Sequence, residues 1–296
     1  MGASTASRTR ARGRLRAGPA RRLAGGLLAT GLLALVGLLF LFPFFYMLSA
    51  SLKDVRELFT LKPSLLPERW LWENYAQLFA RLSFARNLFN SLLLASLETL
   101  AILFTSSLAA FAFAKYDFPG RDKLFVVLLA TLMLPHQITI VPLYLIMVKL
   151  GWLNTYYAVV APGTVSAFGV FLLRQYTVAA MPDELVEAAR MDGAGFFRIY
   201  SRVVLPLIVP GLTVLGLLTF MNSWNSYLWP LLVLDRPEMQ TAPVALAQLV
   251  GTAQAEETLY GPLIAGTTLA TLPLVVVFLT CQRFFVSGIM SGALKG

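Results

Sequence analysis

The strongest constraint on this chain is a set of long stretches without charged side chains. Residues 23–52, 124–148, 150–173, 203–234 and 258–282 contain no Asp, Glu, Lys or Arg, and residues 87–114 contain only Glu98. Each stretch is long enough for a helix of about 20 apolar residues, the length that crosses the hydrocarbon core of a bilayer. Gly151, Asn154 and Pro162 interrupt the start of the fourth stretch, so its helix is expected to begin near Tyr156. The pattern predicts an all-α membrane protein with six transmembrane helices and both termini on one side. Composition agrees, because only 13% of residues are charged, against about 25% in an ordinary soluble domain.

The same inventory excludes several classes. Cys281 is the single cysteine, which rules out a disulfide framework, and neither it nor the lone His136 builds a metal cluster. The sequence has no G-x-x-x-x-G-K-[ST] phosphate loop, so nothing in it points to ATP hydrolysis by this chain. No cofactor is expected on it. Internal repeats of the kind found in inverted-repeat secondary carriers are not evident.

The net charge of +9 is unevenly spread. Arg8, Arg10, Arg12, Arg14, Arg16, Arg21 and Arg22 lie in the first 22 residues, among Gly, Ala and Ser. Residues 1–22 therefore read as a disordered basic tail on the positive, inner side, with residues 23–296 as the membrane domain. Nucleic acid is not an expected partner, because the tail interleaves no aromatic residues. The apolar run after it exceeds the 7–15 residues or so of a signal peptide. If the tail, 115–123, 174–202 and the C-terminus are inside, they hold 16 Lys and Arg, and the outer segments hold 8. Both termini are then cytoplasmic. The first outer segment, roughly 51–86, carries charges, prolines, Trp70 and Trp72, and is expected to pack as a small cap. The second, roughly 235–257, reads as having no long apolar run; simple connection and contact with a soluble partner are both open.

Residues 183–206, DELVEAARMDGAGFFRIYSRVVLP, stand apart. They lie between two apolar stretches yet are too short and too charged to span. Pro182 should close the preceding helix. Asp183 is a candidate N-cap, and Glu184 and Glu187 suit the first turns of a helix. Leu185, Ala188, Ala189 and Asp192 share one face, and Gly193 can take the left-handed conformation that ends a helix. A second short helix follows, with Phe196, Ile199, Tyr200 and Val203 on one face and Arg198 and Arg202 on the other. The whole reads as a helix-glycine-helix on the cytoplasmic surface, with an alanine pair that permits close approach. An interfacial helix that only joins two spans is the plainer reading.

Glu187-Ala188-Ala189, three residues, Gly193, nine residues and then Val203-Val204-Leu205-Pro206 resemble the EAA loop of ABC importer permeases, with valine at 203 in place of isoleucine. EAARMDGA resembles the carbohydrate, maltose-type subfamily. PFFYMLSASLK at 43–53, NLFNS at 87–91, LPHQITIVPLY at 134–144, Trp224-Asn225, Leu228-Trp229-Pro230 and the terminal GALKG are similar to the same family. The resemblance covers about Phe42 to Gly296. It implies the type I importer permease fold in a bacterial plasma membrane. It also implies a second, different permease subunit, two cytoplasmic ATPase subunits carrying ATP and Mg, and an extracytoplasmic solute-binding protein. Glu187, Ala188, Ala189, Asp192 and Gly193 would then couple this chain to the ATPase, and alternating access would move a sugar or sugar-like solute.

Glu98 is an acid inside a span, which marks either a solute pathway or a hydrogen bond to a neighbouring helix. Asn222, Asn225 and Tyr227, about 22 Å along the fifth span from Leu207 at about 1.5 Å per residue, read either as lining the pathway or, for the asparagines, as bonding between helices. Trp224 and Trp229 read as an outer aromatic belt. The rival class is a stand-alone channel or proton-coupled carrier in which Glu98 and His136 would carry protons. His136, after Pro135, reads better as a residue at a helix kink. The topology has a direct check. In a Cys281→Ser background, Arg190→Cys and Glu256→Cys are expected to react with an impermeant maleimide from opposite sides of intact cells; reaction at 190 from outside would overturn the scheme.

Overall fold

The computed structural model describes residues 19–60 and 64–293; the tail up to residue 18 lies outside them. Every regular element among the described residues is helical. The chain divides after Ser49 into two compact units. The first is helix α1 (Pro19–Ala50) up to its end, so residues 19–22 belong to a helix. Its stretch Ala29–Ala50 has a mean hydropathy of 2.3 and is long enough to span.

Among the described residues the second unit holds fourteen further α-helices. α2 (Val55–Leu58) and α3 (Glu73–Arg81) form the first loop; α4 (Phe84–Lys115) is a single helix of 32 residues. α5 (Arg121–Thr131) and α6 (His136–Leu150) follow, then α7 (Tyr156–Gly163) and α8 (Ala167–Ala180). α9 (Asp183–Met191) and α10 (Phe196–Ile199) lead through a π-helical turn, Tyr200–Val204, into α11 (Leu205–Leu207) and α12 (Val209–Trp224). α13 (Leu228–Val233), α14 (Ala242–Ala253), a 3-10 turn (Glu257–Leu259) and α15 (Tyr260–Ala293) complete it.

Of the six expected spans, the first, second and sixth are continuous helices, and the other three are broken. Tyr156–Gly163 and Ala167–Ala180 meet at 43°, and Phe196–Leu207 and Val209–Trp224 at 78°; counting each pair as one span gives five helices or pairs able to cross a bilayer. The expected span at 124–148 is the two shorter helices α5 and α6, parted at residues 132–135. Pro135 lacks an N–H and disfavours helical backbone at Leu134, which accounts for the break. The fourth span does begin at Tyr156.

α4 lies at the centre, packed against α7, α8, α12 and α14. Its polar side chains hold the breaks in the elements around it. Asn87 Nδ2 donates to the carbonyls of Pro237 and Gln240 at 2.8 and 2.9 Å. Asn90 Nδ2 donates to Glu238 and Gln240 at 2.9 and 3.0 Å, and its Oδ1 accepts from the Tyr156 hydroxyl at 2.8 Å. Ser91 Oγ accepts from the Ala242 N–H at 2.8 Å. Thr105 Oγ1 is 2.7 Å from the Thr164 carbonyl, in the gap between α7 and α8. The motif NLFNS is therefore a set of anchors for the loop at 237–242.

That loop departs from its expected character. Residues 242–253, APVALAQLVGTA, form the charge-free helix α14, with Ala242, Leu249 and Ala253 packed beside Leu78, Phe84 and Leu259. Burial of this apolar run against α3, α4 and α15 makes it part of the core rather than a plain connection. The first loop does pack as a cap. Lys53 is buried, its Nζ bonded to the Ser64 carbonyl and 4.0 Å from Glu57, while Asn74 Nδ2 donates to the carbonyls of Ser51 and Lys53 at 3.0 and 3.1 Å. At its rim Arg81 and Glu256 are 3.0 Å apart. The Thr258 hydroxyl and then Arg81 hold the exposed Glu256 carboxyl below its ordinary range, so this contact weakens as pH falls through that lowered value.

Asn90→Ala leaves the Glu238 carbonyl and the Tyr156 hydroxyl without their partner, while the Gln240 carbonyl keeps Asn87. It is expected to destabilise the fold by about 1–3 kcal/mol, the cost of orphaned buried polar groups. Asn225→Ala, whose exposed amide bonds only its own helix at Met221 among the described residues, should stay within about 0.5 kcal/mol. Thermal unfolding of both variants in detergent checks the contrast.

Candidate functional site

Two features remain once the packing is accounted for: the surface helical pair α9–α10 and a polar cavity beside α4. In the pair, the helix-glycine-helix expectation holds in detail. Gly193 has φ +74°, its N–H bonds the Arg190 carbonyl at 2.9 Å, and the Ala194 N–H bonds Ala189 at 3.0 Å. This left-handed turn satisfies the carbonyls at the end of α9 and reverses the chain. Phe196, Ile199, Tyr200 and Val203 do share one packed face, and Arg198 and Arg202 are exposed.

In α9 one face is packed and the other is open. Its buried residue is Val186, with Ala189 packed at the edge, while Leu185, Ala188 and Asp192 face outward. Glu187 is exposed and makes no hydrogen bond or ion pair among the described residues. Met191 and Phe197 are 89% and 71% exposed. They lengthen the apolar part of this surface; two large apolar residues inside a charged element were the signal for them. Asp183 is the first residue of α9 rather than its N-cap, which is Pro182. Its carboxylate instead reaches Lys115 Nζ at 2.5 Å, at the end of α4. Arg190 lies over the Tyr116 ring, 4.7 Å from its centroid.

Behind the pair, Val186, Ile199, Tyr200 and Val204 pack with Phe111 of α4, Met181 and Ile208 in one apolar cluster. The Tyr200 and Ser107 hydroxyls are 2.7 Å apart. The pair is thus joined both to α4 and to the entrance of α12, and displacement of α9 acts on both.

The cavity has a volume of about 460 Å³ and is lined by Glu98, Thr139, Asn222, Ser223, Trp229 and Thr241 among others. Ser223 Oγ donates to Glu98 Oε2 at 2.5 Å, which ties α4 to the end of α12. Gly163 closes the other side; a Cβ there would collide with the Glu98 carboxylate, so α7 approaches α4 only because this residue is glycine. Thr241 Oγ1 is buried without a hydrogen-bond partner among the described residues.

Of the residues named from the sequence, Glu98 and Asn222 meet at this cavity. Asn225 and Tyr227 are exposed and absent from its described lining. The fifth span is not straight: it bends by 78° and α12 ends at Trp224, so distance along an ideal helix does not place the residues beyond it. Ser223 and Thr241 were not legible as lining, because they are brought to Glu98 from 125 and 143 residues away. Trp224 and Trp229 are pins rather than a belt; their Nε1 groups donate to the carbonyls of Ala270 and Ala158 at 3.1 and 2.9 Å. Residue 136 opens α6 immediately after the break, as a kink position would; its side chain lies outside the described residues.

Broken apolar helices around a polar cavity, with a rigid helical pair presented at the surface, define a membrane transport subunit. Comparison narrows the class. Residues 99–291 match the family described as binding-protein-dependent transport system inner membrane component. The arabinooligosaccharides transport system permease protein AraQ of Bacillus subtilis (strain 168) is 38% identical over 265 residues, covering 88% of this chain and 93% of that protein. The sn-glycerol-3-phosphate transport system permease protein UgpE of Yersinia enterocolitica is 34% identical, covering 86% and 92%. A chain of a bacterial ABC transporter involved in the import of the acidic polysaccharide alginate shares the fold, with a TM-score of 0.77 at 23% identity over 91% of this chain and 99% of that one. The chain belongs to the inner-membrane components of binding-protein-dependent transport systems.

Gly193→Val imposes a Cβ on a left-handed residue, at a cost of roughly 1–2 kcal/mol, with no neighbouring atom within 4 Å to add a clash. It is expected to reduce solute uptake while leaving the amount of protein in the membrane unchanged. Uptake assays with quantitative immunoblots check this, and uptake at the wild-type level would show that the turn is dispensable.

Proposed function

We propose that this chain is one of two different permease subunits of an ABC importer for a sugar or sugar-like solute. One of two ATPase subunits, which carry ATP and Mg, docks on α9–α10 from the cytoplasm, and a solute-binding protein delivers cargo from the opposite side. The chain itself hydrolyses nothing. The observation that carries this reading is the pair of outward side chains Glu187 and Ala188, on a helix locked at its C-terminus by Gly193. Behind that helix the apolar cluster runs to the two helices that meet at Glu98. The names of the relatives, arabinooligosaccharides and sn-glycerol-3-phosphate among them, support a carbohydrate or small polyol cargo. The excess of Lys and Arg in the inner segments, 16 against 8, supports a cytoplasmic position for both termini and for α9.

In this mechanism closure of the ATPase pair pushes on α9. Val186 and Tyr200 carry the displacement to Phe111 and Ile208, so α4 and α12 move together and the cavity opens to one side or the other. Glu187 supplies a charge to a basic or hydrogen-bonding group of the ATPase, and Ala188 admits the helix into its cleft. Ala189 and Asp192 belong to the same coupling element.

Loss of one partner of a desolvated charged contact costs about 2–5 kcal/mol of binding. Glu187→Ala and Ala188→Trp are therefore both expected to abolish uptake and to lower ATPase co-purification at normal permease abundance. Both side chains are exposed, so neither change should unfold the chain. Wild-type uptake together with wild-type ATPase recovery in both variants would rule out docking through α9, and with it this function.

A further inference from the structure

We infer that the cavity beside Glu98 is a binding subsite for one uncharged, hydroxyl-rich ring of the cargo, so that this subunit contacts the solute itself. The inference rests on the importer reading for the existence of a cargo, and its chemistry comes from the lining. The volume, about 460 Å³, falls within the range of about 300–1,000 Å³ for small-molecule sites. The polar groups converge from three separate parts of the chain: Glu98 of α4, Asn222 and Ser223 at the end of α12, and Thr241 before α14. Thr241 is 5% exposed, and its hydroxyl has no partner among the described residues. A buried polar group left without a partner is costly, so rotation of the Thr241 side chain toward a ligand hydroxyl in the cavity is favoured.

Glu98 Oε2 is occupied by the Ser223 hydroxyl, but a carboxylate has about four lone-pair sites, so acceptor capacity remains for a ligand hydroxyl. Trp229 supplies an apolar wall. Its Nε1 is committed to the Ala158 carbonyl at 2.9 Å, so the indole is fixed in place and available to the C–H face of a sugar ring. No Lys, Arg or His is present among the described lining residues. An anionic ring would enter without a counter-charge, and a buried unpaired charge is strongly disfavoured. Beside the carboxylate the lining offers hydroxyls, an amide and an indole face, groups that bond a neutral polyol.

The test uses the full chain, purified together with the partner subunits it retains and reconstituted in nanodiscs. Ser226, half-buried at the cavity, is the reporter, as Ser226→Cys in a Cys281→Ser background. Alkylation of residue 226 by N-ethylmaleimide is followed by mass spectrometry in the presence of arabinotriose, maltotriose, raffinose, trigalacturonate, sn-glycerol 3-phosphate or fully deacetylated chitotriose. At least one of the first three is expected to slow alkylation, and none of the charged compounds. Glu98→Gln should raise the half-protecting concentration about tenfold, and the isosteric Thr241→Val about threefold, the sizes expected for one charged and one neutral hydrogen bond. Protection by a charged compound, no protection by any neutral sugar, or unchanged protection in both variants would overturn the subsite. ATPase recovery in the same preparation separates the two readings. Co-purification without protection overturns only the subsite, whereas protection without co-purification overturns the importer assignment and leaves the subsite standing.

Discussion

The fold depends on one line of hydrogen-bonding side chains along a single helix. A bilayer interior offers no water to backbone groups, so any break in a helix there must find its donors and acceptors inside the protein. α4 supplies them. Asn87, Asn90 and Ser91 bind the backbone of 237–242, Thr105 meets the end of α7, and Ser107 meets the π-helical turn through Tyr200. Glu98 takes the hydroxyl at the end of α12. Ser91, Glu98 and Thr105 stand seven residues apart, two helical turns each time, and so recur on nearly the same side. Each such bond in a membrane contributes about 0.6 kcal/mol on average. Their joint effect is geometric: they determine which segments are broken and what those breaks face.

Broken helices create the cavity, and the same helix connects it to the surface. The Lys115–Asp183 ion pair and the Phe111 cluster hold α9 and α10 to the far end of α4 from its Asn87 anchors. One rigid element thus touches the surface pair at one end, the cavity near its middle and α14 at the other. A displacement of α9 cannot be absorbed locally, because the small exposed helix is backed by close-packed side chains. Gly163 and Gly193 serve opposite purposes in this arrangement. The first lets two helices come into contact at Glu98, and the second bends the chain where no neighbour crowds it.

Much of this was legible before any coordinates. The membrane class, the start of the α7 helix at Tyr156, the helix-glycine-helix with its left-handed Gly193 and the packed face of α10 all follow from charge, periodicity and glycine chemistry, which act over a few residues. Charge-free length alone did not distinguish a straight span from a broken one, because Pro135 stops a helix while Pro43 sits inside α1 without stopping it. Likewise an alanine-rich face on α9 did not reveal which side would be buried; Val186 took that place because Phe111 and Ile199 lie beneath it.

By itself the sequence determined that the chain lives in lipid, that its elements are helical, and that a short charged pair bearing the Glu187-Ala188-Ala189 pattern stands apart from the spans. Those properties depend on side-chain type and on spacings of three, four or seven residues. Only the tertiary structure decided that residues 242–253 join the core, that Trp224 and Trp229 are pins, and that Thr241 and Ser223 share a cavity with Glu98 while Asn225 and Tyr227 do not. The physical reason is that these outcomes are hydrogen-bond and burial pairings between residues more than a hundred positions apart in most cases, and local pattern carries no record of which distant groups will meet.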